Sequence, residues 1–380
     1  MSVYQYYEFQ AIDRPLEEAD RRELRRLSTR ARISATSFVN HYNWGDFKGN
    51  PRELMERWFD LHLYVANWGT RRLMIRLPRR FLDRSRIRVF LREVDWVVTP
   101  VLGRHRIIDI HYRGEEPGYY EPDDDGPGLL GDLAPLRADL LSGDLRLFYL
   151  LWLTAVEAGD LEDDEEEPLP GFGPLSGALE AFANFFNIDP DLVQAAAEAP
   201  LIGDVTKVSG EARRRAVEAI PEAEKTALLR RLADGDPHVM FEVQRKIRQA
   251  DRATGAETQA TRRTVADLRG RAEAIREEHR VATARRLEAE RRRKAEEAER
   301  KRRARVDSVR QRGEKVWADI ETEIGRRNAS GYDRAAGLLF DLRTLAEEDG
   351  TIEEFSKRVR SIRDRHPRKK RFLERLAGLP

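Results

Sequence analysis

Arg285-Arg286-Leu287-Glu288-Ala289-Glu290-Arg291-Arg292-Arg293-Lys294-Ala295-Glu296-Glu297-Ala298-Glu299-Arg300-Lys301-Arg302-Arg303-Ala304-Arg305 holds 11 basic and 5 acidic residues and no large apolar side chain besides Leu287. No apolar stripe runs through it, so a compact core has no use for it. It is nevertheless written as helix. Glu precedes Lys or Arg by four residues at Glu288 and Arg292, Glu290 and Lys294, Glu296 and Arg300, Glu297 and Lys301, and Glu299 and Arg303. In this order each pair supports a helix by about 0.2–0.5 kcal/mol, which lets a solvated rod stand without packing.

Working outward, apolar or near-apolar residues fall at heptad spacing before the charged run (Val265, Leu268, Ala272, Ile275, His279, Ala282) and return after it (Val306, Val309, Val316, Ile320). Together they predict a long charged helix or coiled coil within 255–328, its helix running from Thr261 to Ile324 and reaching roughly 95 Å if unbroken. Both seams are short and weak in large residues, with Gly313 among the core positions. They either pack against the helical parts of the same chain or need a partner, and a homodimer is the alternative to internal packing.

The 380 residues predict two or three domains, and an apolar content of 40% suffices for a real core. The charged fraction of 36% is well above the usual quarter, so much of the chain must be solvated. Lys and Arg outnumber Asp and Glu 22 to 14 over residues 1–114, fall to 2 against 21 over 115–198, and lead again 45 to 33 over 199–380. Segment charges of +8, −19 and +12 bear on partners and steering rather than on fold. The absence of cysteine excludes disulfides, thiol nucleophiles and cysteine-containing zinc sites. With no apolar run approaching a membrane span and no leader at Met1-Ser2-Val3, a cytoplasmic location without membrane contact is expected.

The fold class predicted is α+β and mainly helical. Residues 1–114 carry 16 of the 31 aromatic residues and alternate strands with helices. Strands are expected at Tyr4 to Ile12, Ser37 to Tyr42, Leu61 to Asn67, Leu73 to Leu77, Trp96 to Leu102 and His105 to Tyr112, with helices at Pro15 to Thr29 and Pro51 to Phe59. These form an N-terminal antiparallel sheet with helices on one side, a ferredoxin-like order being one option. Gly114 to Gly131 is dense in Gly, Pro and Asp and marks a domain boundary. A helical domain is predicted over 129–250, interrupted by Ser142-Gly143-Asp144 and by Asp160 to Pro174, a loop too charged and proline-rich to pack. The segment 331–380 reads as an αα-hairpin, with Thr351 and Glu354 forming a capping box.

Asn43-Trp44-Gly45 and Asn67-Trp68-Gly69 repeat one tripeptide and predict turns. With Asp46, Lys48, Arg71 and Arg72 the two tryptophans form a candidate aromatic and basic cleft for a nucleotide or an acidic peptide. An enzyme site would be expected there too, around Trp44, Asp46, Trp68 and Arg71. His41, Asp46, His62, Asp109 and His111 are the one His and carboxylate set in position to converge on a metal, but metal-ligand spacing is lacking and no metal is expected. Asp123-Asp124-Asp125 and Glu165-Glu166-Glu167 lack the alternation of a calcium loop. Gly171-Phe172-Gly173-Pro174 lacks the Lys-Ser/Thr of a phosphate cradle, and no nucleophile elbow occurs. Neither a cofactor nor a catalytic residue is predicted. The basic surplus of the arm, at Arg291, Arg292, Arg293, Lys294, Arg300, Lys301, Arg302 and Arg303, is a candidate nucleic-acid surface, although interspersed Glu weakens phosphate binding and no aromatic residue interrupts the run to stack on bases.

Tyr332-Asp333-Arg334-Ala335, Leu338-Leu339, Asp341-Leu342-Arg343, Phe355, Arg358, Arg363, His366, Arg368-Lys369 and Leu373-Glu374-Arg375-Leu376 resemble the helical tail of some bacterial SWIM zinc-finger family proteins. That resemblance covers the last 48 or so residues and implies a shared helical module; the zinc finger does not carry over, because its cysteines are absent. The whole chain, through its opening Tyr4-Gln5-Tyr6-Tyr7-Glu8-Phe9-Gln10-Ala11-Ile12-Asp13-Arg14-Pro15-Leu16, resembles an uncharacterised bacterial protein family, which implies no activity. Composition and pattern thus lead to a non-enzymatic interaction or scaffold protein that holds a macromolecular partner, a protein first, through its arm. A nucleic-acid-associated factor and an enzyme of the head are the alternatives.

Overall fold

A computed structural model describes residues 4–113, 126–169, 171–200, 210–251 and 262–379. It has two compact units, Met1–Glu278 and His279–Pro380. The expected boundary at Gly114 to Gly131 and the start of the arm at 255–261 fall largely outside the described residues.

The first unit begins with β1 (Gln5–Gln10), α1 (Glu18–Leu27), β2 (Arg32–Ile33), β3 (Ser37–Tyr42), α2 (Pro51–Arg57), β4 (Leu61–Ala66) and β5 (Thr70–Pro78). Short turns follow: 3₁₀ at Arg79–Phe81, α3 (Arg84–Ile87), 3₁₀ at Arg88–Leu91, then β6 (Val97–Val98), β7 (Val101–Leu102) and β8 (His105–Arg113). The strands form one antiparallel sheet in the order β2-β3-β1-β4-β5-β8-β6, with β7 also on β8. A ferredoxin-like order would set the full-length strand after the first helix parallel to β1, with another strand between them. Here that strand, β3, pairs directly and antiparallel with β1, Phe9 opposite Phe38.

Helices cover both faces of this sheet rather than one. Strand alternation sends Tyr7, Phe9, Met74 and Ile107 to one side, where they meet Leu24 of α1 and Leu54, Met55 and Trp58 at α2. Tyr6, Leu61, Leu63, Leu73, Ile75 and Ile108 point to the other side, against the helices that follow. β4 therefore reads as a nearly continuous apolar run, and Leu73, Met74, Ile75 and Leu77 of β5 are buried on its two faces, the mark of a sheet without a solvated face. Those helices are α4 (Leu129–Leu133), α5 (Pro135–Leu141), α6 (Arg146–Ala158), α7 (Gly177–Phe185) and α8 (Pro190–Ala197). As read from sequence, Ser142 to Asp144 separates α5 from α6, and Asp189 Oδ1 caps α8 by accepting from Asp191 N at 2.8 Å. Further on lie α9 (Gly210–Glu218), α10 (Glu222–Ala233) and α11 (Val239–Asp251).

Sheet and helices are also tied by buried ions. Asp60, fully buried, accepts from Arg76 at 2.9 Å and takes the Ile12 and Asp13 amides at 2.7 and 2.9 Å; Arg137 of α5 reaches Asp13 at 2.7 Å. The acidic loop from Asp160 packs in part, contrary to expectation. Glu167 is 1% exposed because Arg263 donates to it at 2.8 Å and the Tyr149 hydroxyl at 2.6 Å, while Phe172 lies 5.0 Å from the Tyr149 ring.

The long helix α12 runs Val265–Arg312, started by a capping box in which Thr264 Oγ1 accepts from Asp267 N and Asp267 Oδ2 accepts from Thr264 N. It is not continuous to Ile324. Gly313 takes φ +51° and its N–H turns back to the Val309 carbonyl at 3.2 Å, ending the helix before α13 (Lys315–Gly325). Both seams pack within the chain. Val265, Leu268, Ala272 and Ile275 belong to the core of the first unit, whereas His279 and Ala282 are exposed, so the upstream seam ends at Ile275.

In the second unit Val309, Val316, Ile320 and Ile324 join Leu339, Phe355, Val359 and Phe372 from α14 (Ala329–Glu348), α15 (Ile352–Arg365) and α16 (Lys370–Arg375) in one core. Asn328 caps α14 through Gly331 N at 2.7 Å. The capping box expected at Thr351 is not made: its ψ of 27° is too folded for an N-cap, and its own N–H closes the preceding helix on the Ala346 carbonyl.

Candidate functional site

The two Asn-Trp-Gly turns leave the same end of the sheet, since Tyr42 of β3 and Ala66 of β4 both face Gln5 of β1. Gly45 and Gly69 take φ of +78° and +89°, as the turn reading requires. Trp44 is 66% exposed with the Arg30 guanidinium 4.2 Å above its ring, and Trp68 is 41% exposed. Asp46 accepts from Gln5 Nε2 at 3.0 Å, and Lys48 is exposed.

The arginines of the expected cleft part company. Neighbours on a strand face opposite ways, so Arg71 and Arg72 do not line one cavity. Arg71 points to the helical layer, donates to the Phe185 carbonyl and, at 3.0 Å, to Asn187 Oδ1, and borders a hollow of about 610 Å³ with Asp132 and Glu180. Arg72 lies on the α1/α2 side and forms a fork with Asp109, Nε to Oδ1 at 2.7 Å and Nη2 to Oδ2 at 2.8 Å. Arg52, from the first turn of α2, completes the group at 2.7 Å. Burial pushes the Asp109 carboxyl up, but the hydrogen bonds and charges of Arg72 and Arg52 outweigh it and hold the group below its usual range.

Asp109 and His111 share a face, as their spacing requires, yet both Asp109 oxygens are occupied by arginine. His62 is fully buried and stacked on Phe9 with ring centres 4.0 Å apart. Its Nδ1 lies 3.0 Å from the Glu8 carbonyl and its buried Nε2 has no hydrogen-bond partner among the described residues. Burial first, and the Arg72 charge second, push its pKa down to about 3, so the ring is neutral. Among the described residues no group of three or more His, Asp or Glu is placed to hold a metal ion. Asp123-Asp124-Asp125 lies outside those residues, and in the other acidic run Glu165 pairs with Arg92 and Glu167 with Arg263.

On α12 every residue from Arg276 to Arg305 is exposed except the half-buried Glu290. Three of the pairs expected from sequence form: Glu290 with Lys294 at 2.8 Å, Glu297 with Lys301 at 2.7 Å and Glu299 with Arg303 at 3.2 Å. Arg292 turns instead to Glu296 at 2.8 Å, one turn on, because an exposed arginine flanked by Glu at both i−4 and i+4 has two nearly equal partners. Of the candidate nucleic-acid surface, Arg292, Lys294, Lys301, Arg302 and Arg303 are thus paired with Glu, and Arg291, Arg293 and Arg300 have no acidic partner among the described residues.

The segment from Arg79 to Arg92 has no place in the sequence-derived site. Its turns put Arg84, Arg88 and Arg92 beside Arg52 along a groove of about 620 Å³. The signal in the sequence was arginine at every fourth position, 84, 88 and 92, in a stretch too short for helical periodicity. No helix among the described residues is long and apolar enough to cross a membrane. No protein-family model, curated protein or solved structure matches the chain.

Proposed function

We propose that the chain is a non-enzymatic interaction protein that holds a protein partner through the charged stretch of α12. The observation that carries this reading is the exposure of the helix around its whole circumference from Arg276 to Arg305. A segment that spends thirty residues on a helix without burying them contributes nothing to its own core, and a charged ladder of alternating sign is suited to steering and registering a complementary surface. The anchoring of both ends supports the same reading. Arg263 fixes the start of α12 to Glu167 and to the Ala195 and Ala196 carbonyls, and Val309 is buried in the second unit. A partner engaged along the exposed stretch meets a preorganised helix and not a coil that must first order.

Removal of Arg285 to Arg305 is the direct test. Those residues amount to six helical turns, and the variant keeps both cores. The intact chain, used as bait in nuclease-treated extract, is expected to retain a defined protein companion that the shortened chain loses while its melting transitions persist. Recovery of the same companion by both chains refutes the proposal. Light scattering on the purified chain at several concentrations separates a foreign companion from self-association.

A further inference from the structure

The turns from Arg84 to Leu91 and the edge strand β6 enclose a groove whose charge is only partly compensated: Arg92 pairs with Glu165 and, at 3.9 Å, with Glu93, which leaves Arg84 and Arg88. Arg52, Arg84, Arg88 and Arg92 line it over an apolar floor of Ile87, Leu91 and Val97, and no carboxylate is among its lining residues. Among the described residues Arg84 and Arg88 have no acidic partner. Arg52 shares the single carboxylate of Asp109 with Arg72, so that cluster keeps a net positive charge. Asp83, the nearest acid in sequence, is engaged as the cap of α3, accepting from Ser85 N at 3.0 Å and from the Ser85 hydroxyl at 2.7 Å.

A fifth cation is bonded to Thr99 of the groove lining. Arg106 is 6% exposed, donates through Nη1 to the Thr99 carbonyl at 2.9 Å, and leaves Nε buried without an acceptor. Burial, followed by the charges of Arg79 and Arg84, pushes its pKa down. Cations gathered this closely repel one another, and Asp83 offsets that repulsion at Arg106 only in part. An anionic ligand would relieve the rest.

The form of the groove narrows what that anion is. Arg84, Arg88 and Arg92 recur every fourth residue and all line the groove, about 6 Å of rise apart across the α-helical turn and about 8 Å across the 3₁₀ turn, so the charges are spread along it and do not share a single pocket. Guanidinium forks bind phosphate bidentately. An apolar floor beside them suits the faces of sugars and bases, which a single strand presents and a duplex stacks inside. We propose that this groove binds the phosphodiester backbone of a single-stranded nucleic acid. Arg84 and Arg88 grip successive phosphates, Arg52 and Arg92 flank them, and Ile87, Leu91 and Val97 receive the nucleoside. The site is independent of the α12 surface and of the protein partner proposed for it.

Fluorescence anisotropy of a labelled oligothymidylate of about 12 nucleotides with the full chain tests this. Affinity is expected to fall steeply with salt. Arg84→Gln with Arg88→Gln should weaken binding at least about tenfold in dilute salt and flatten the slope of log K against log salt by about 1.4, the contribution of two single-strand phosphates. Both side chains are exposed, so the melting temperature should hold. Arg84→Lys with Arg88→Lys keeps the charge without the fork, and should restore the slope but only part of the affinity. Arg291→Gln with Arg293→Gln and Arg300→Gln, on the arm, should leave binding as in the parent chain. Unchanged affinity in the Arg84/Arg88 pair, a loss confined to the arm variant, or absence of binding by the parent chain in dilute salt overturns the assignment. Polyglutamate that competes as well as unlabelled oligonucleotide also overturns it, in favour of an acidic peptide.

Discussion

Replacing Asp109 by Asn keeps the shape of the side chain and removes the one negative charge between two guanidinium groups. Asp109 is 1% exposed and receives Arg72 at 2.7 and 2.8 Å and Arg52 at 2.7 Å. Removing one partner of a buried pair costs about 3–5 kcal/mol, because the other charge stays buried without compensation. Arg72, with 15% of its side chain exposed, bears that cost, whereas Arg52 at 48% is screened by water and adds little. The expected loss is therefore about 3 kcal/mol, read from urea unfolding of the full chain by tryptophan fluorescence at neutral pH. Asp109→Leu with Arg72→Met should recover most of it, since the pair is then replaced by apolar packing. The pH dependence has a defined sign. The Asp109 carboxyl sits below its ordinary value in the folded chain, so its stabilisation is complete above the unfolded pKa near 4 and disappears as pH falls through the folded value. The gap between parent and variant should narrow below about pH 4. A loss under about 1 kcal/mol at neutral pH, or a gap that does not close in acid, refutes the assignment of Asp109 as the electrostatic anchor of this face.

His62 should make the first unit lose stability on acidification. Its folded pKa is pushed down to about 3 by burial and by Arg72, so below about pH 6.5 the unfolded chain takes a proton that the folded chain refuses. The urea midpoint of the parent chain should fall from there towards pH 3, and His62→Phe, which keeps the stack on Phe9, should flatten that slope; an identical slope in the variant refutes it. Gly171→Ala should be strongly destabilising, by at least about 2 kcal/mol, because φ is +139° and the added carbon would overlap the Pro200 carbonyl oxygen. Gly313→Ala, at φ +51° with open space around the new carbon, should cost only about 1–2 kcal/mol. Thermal melts of the two variants compare them, and equal effects would contradict the packing around Gly171.

Most of the secondary structure was legible because local chemistry and burial agree. β3 occupies the residues expected of it, and β1, β4 and β5 lie within a few residues of theirs, since their turns carry Asn-Trp-Gly or a capped helix. The seam was legible at Val265, Leu268, Ala272 and Ile275 and again at Val309 of α12 and at Val316 and Ile320 of α13, all of which are buried. What the heptad frame hid was Gly313. A frame counts positions and carries across a residue whose left-handed backbone ends the helix. Glu167 was misjudged for a different reason. Charge in a loop reads as solvated until its partner is known, and Arg263 lies far along the chain. That Arg71 and Arg72 part company follows from a rule visible in sequence, since adjacent strand residues cannot share a face. The Arg79 to Arg92 turns were passed over because one-turn helices have no period to detect.

Two basic surfaces in this chain differ in how their charge is balanced, and that difference says more about their use than their arginine content. On α12 the cations interleave with Glu290, Glu296, Glu297 and Glu299, which accept them at hydrogen-bond distance. A phosphate arriving there must displace a carboxylate already in place and release fewer counterions. Its charge is spent on keeping a solvated helix, and what it offers outward is a pattern of alternating sign. Around the Arg84 groove the acids are committed elsewhere, Asp83 to its helix cap, Asp109 to Arg72 as well as Arg52, and Glu165 to Arg92 at one end. Arg84 and Arg88 have no carboxylate partner among the described residues. Folding tolerates such a cluster because the side chains reach solvent at low cost, and a ligand with regularly spaced negative charge converts their repulsion into affinity. Nucleic-acid binding, if measured, should therefore depend on the groove and be indifferent to the arm, although the arm carries more arginine and lysine.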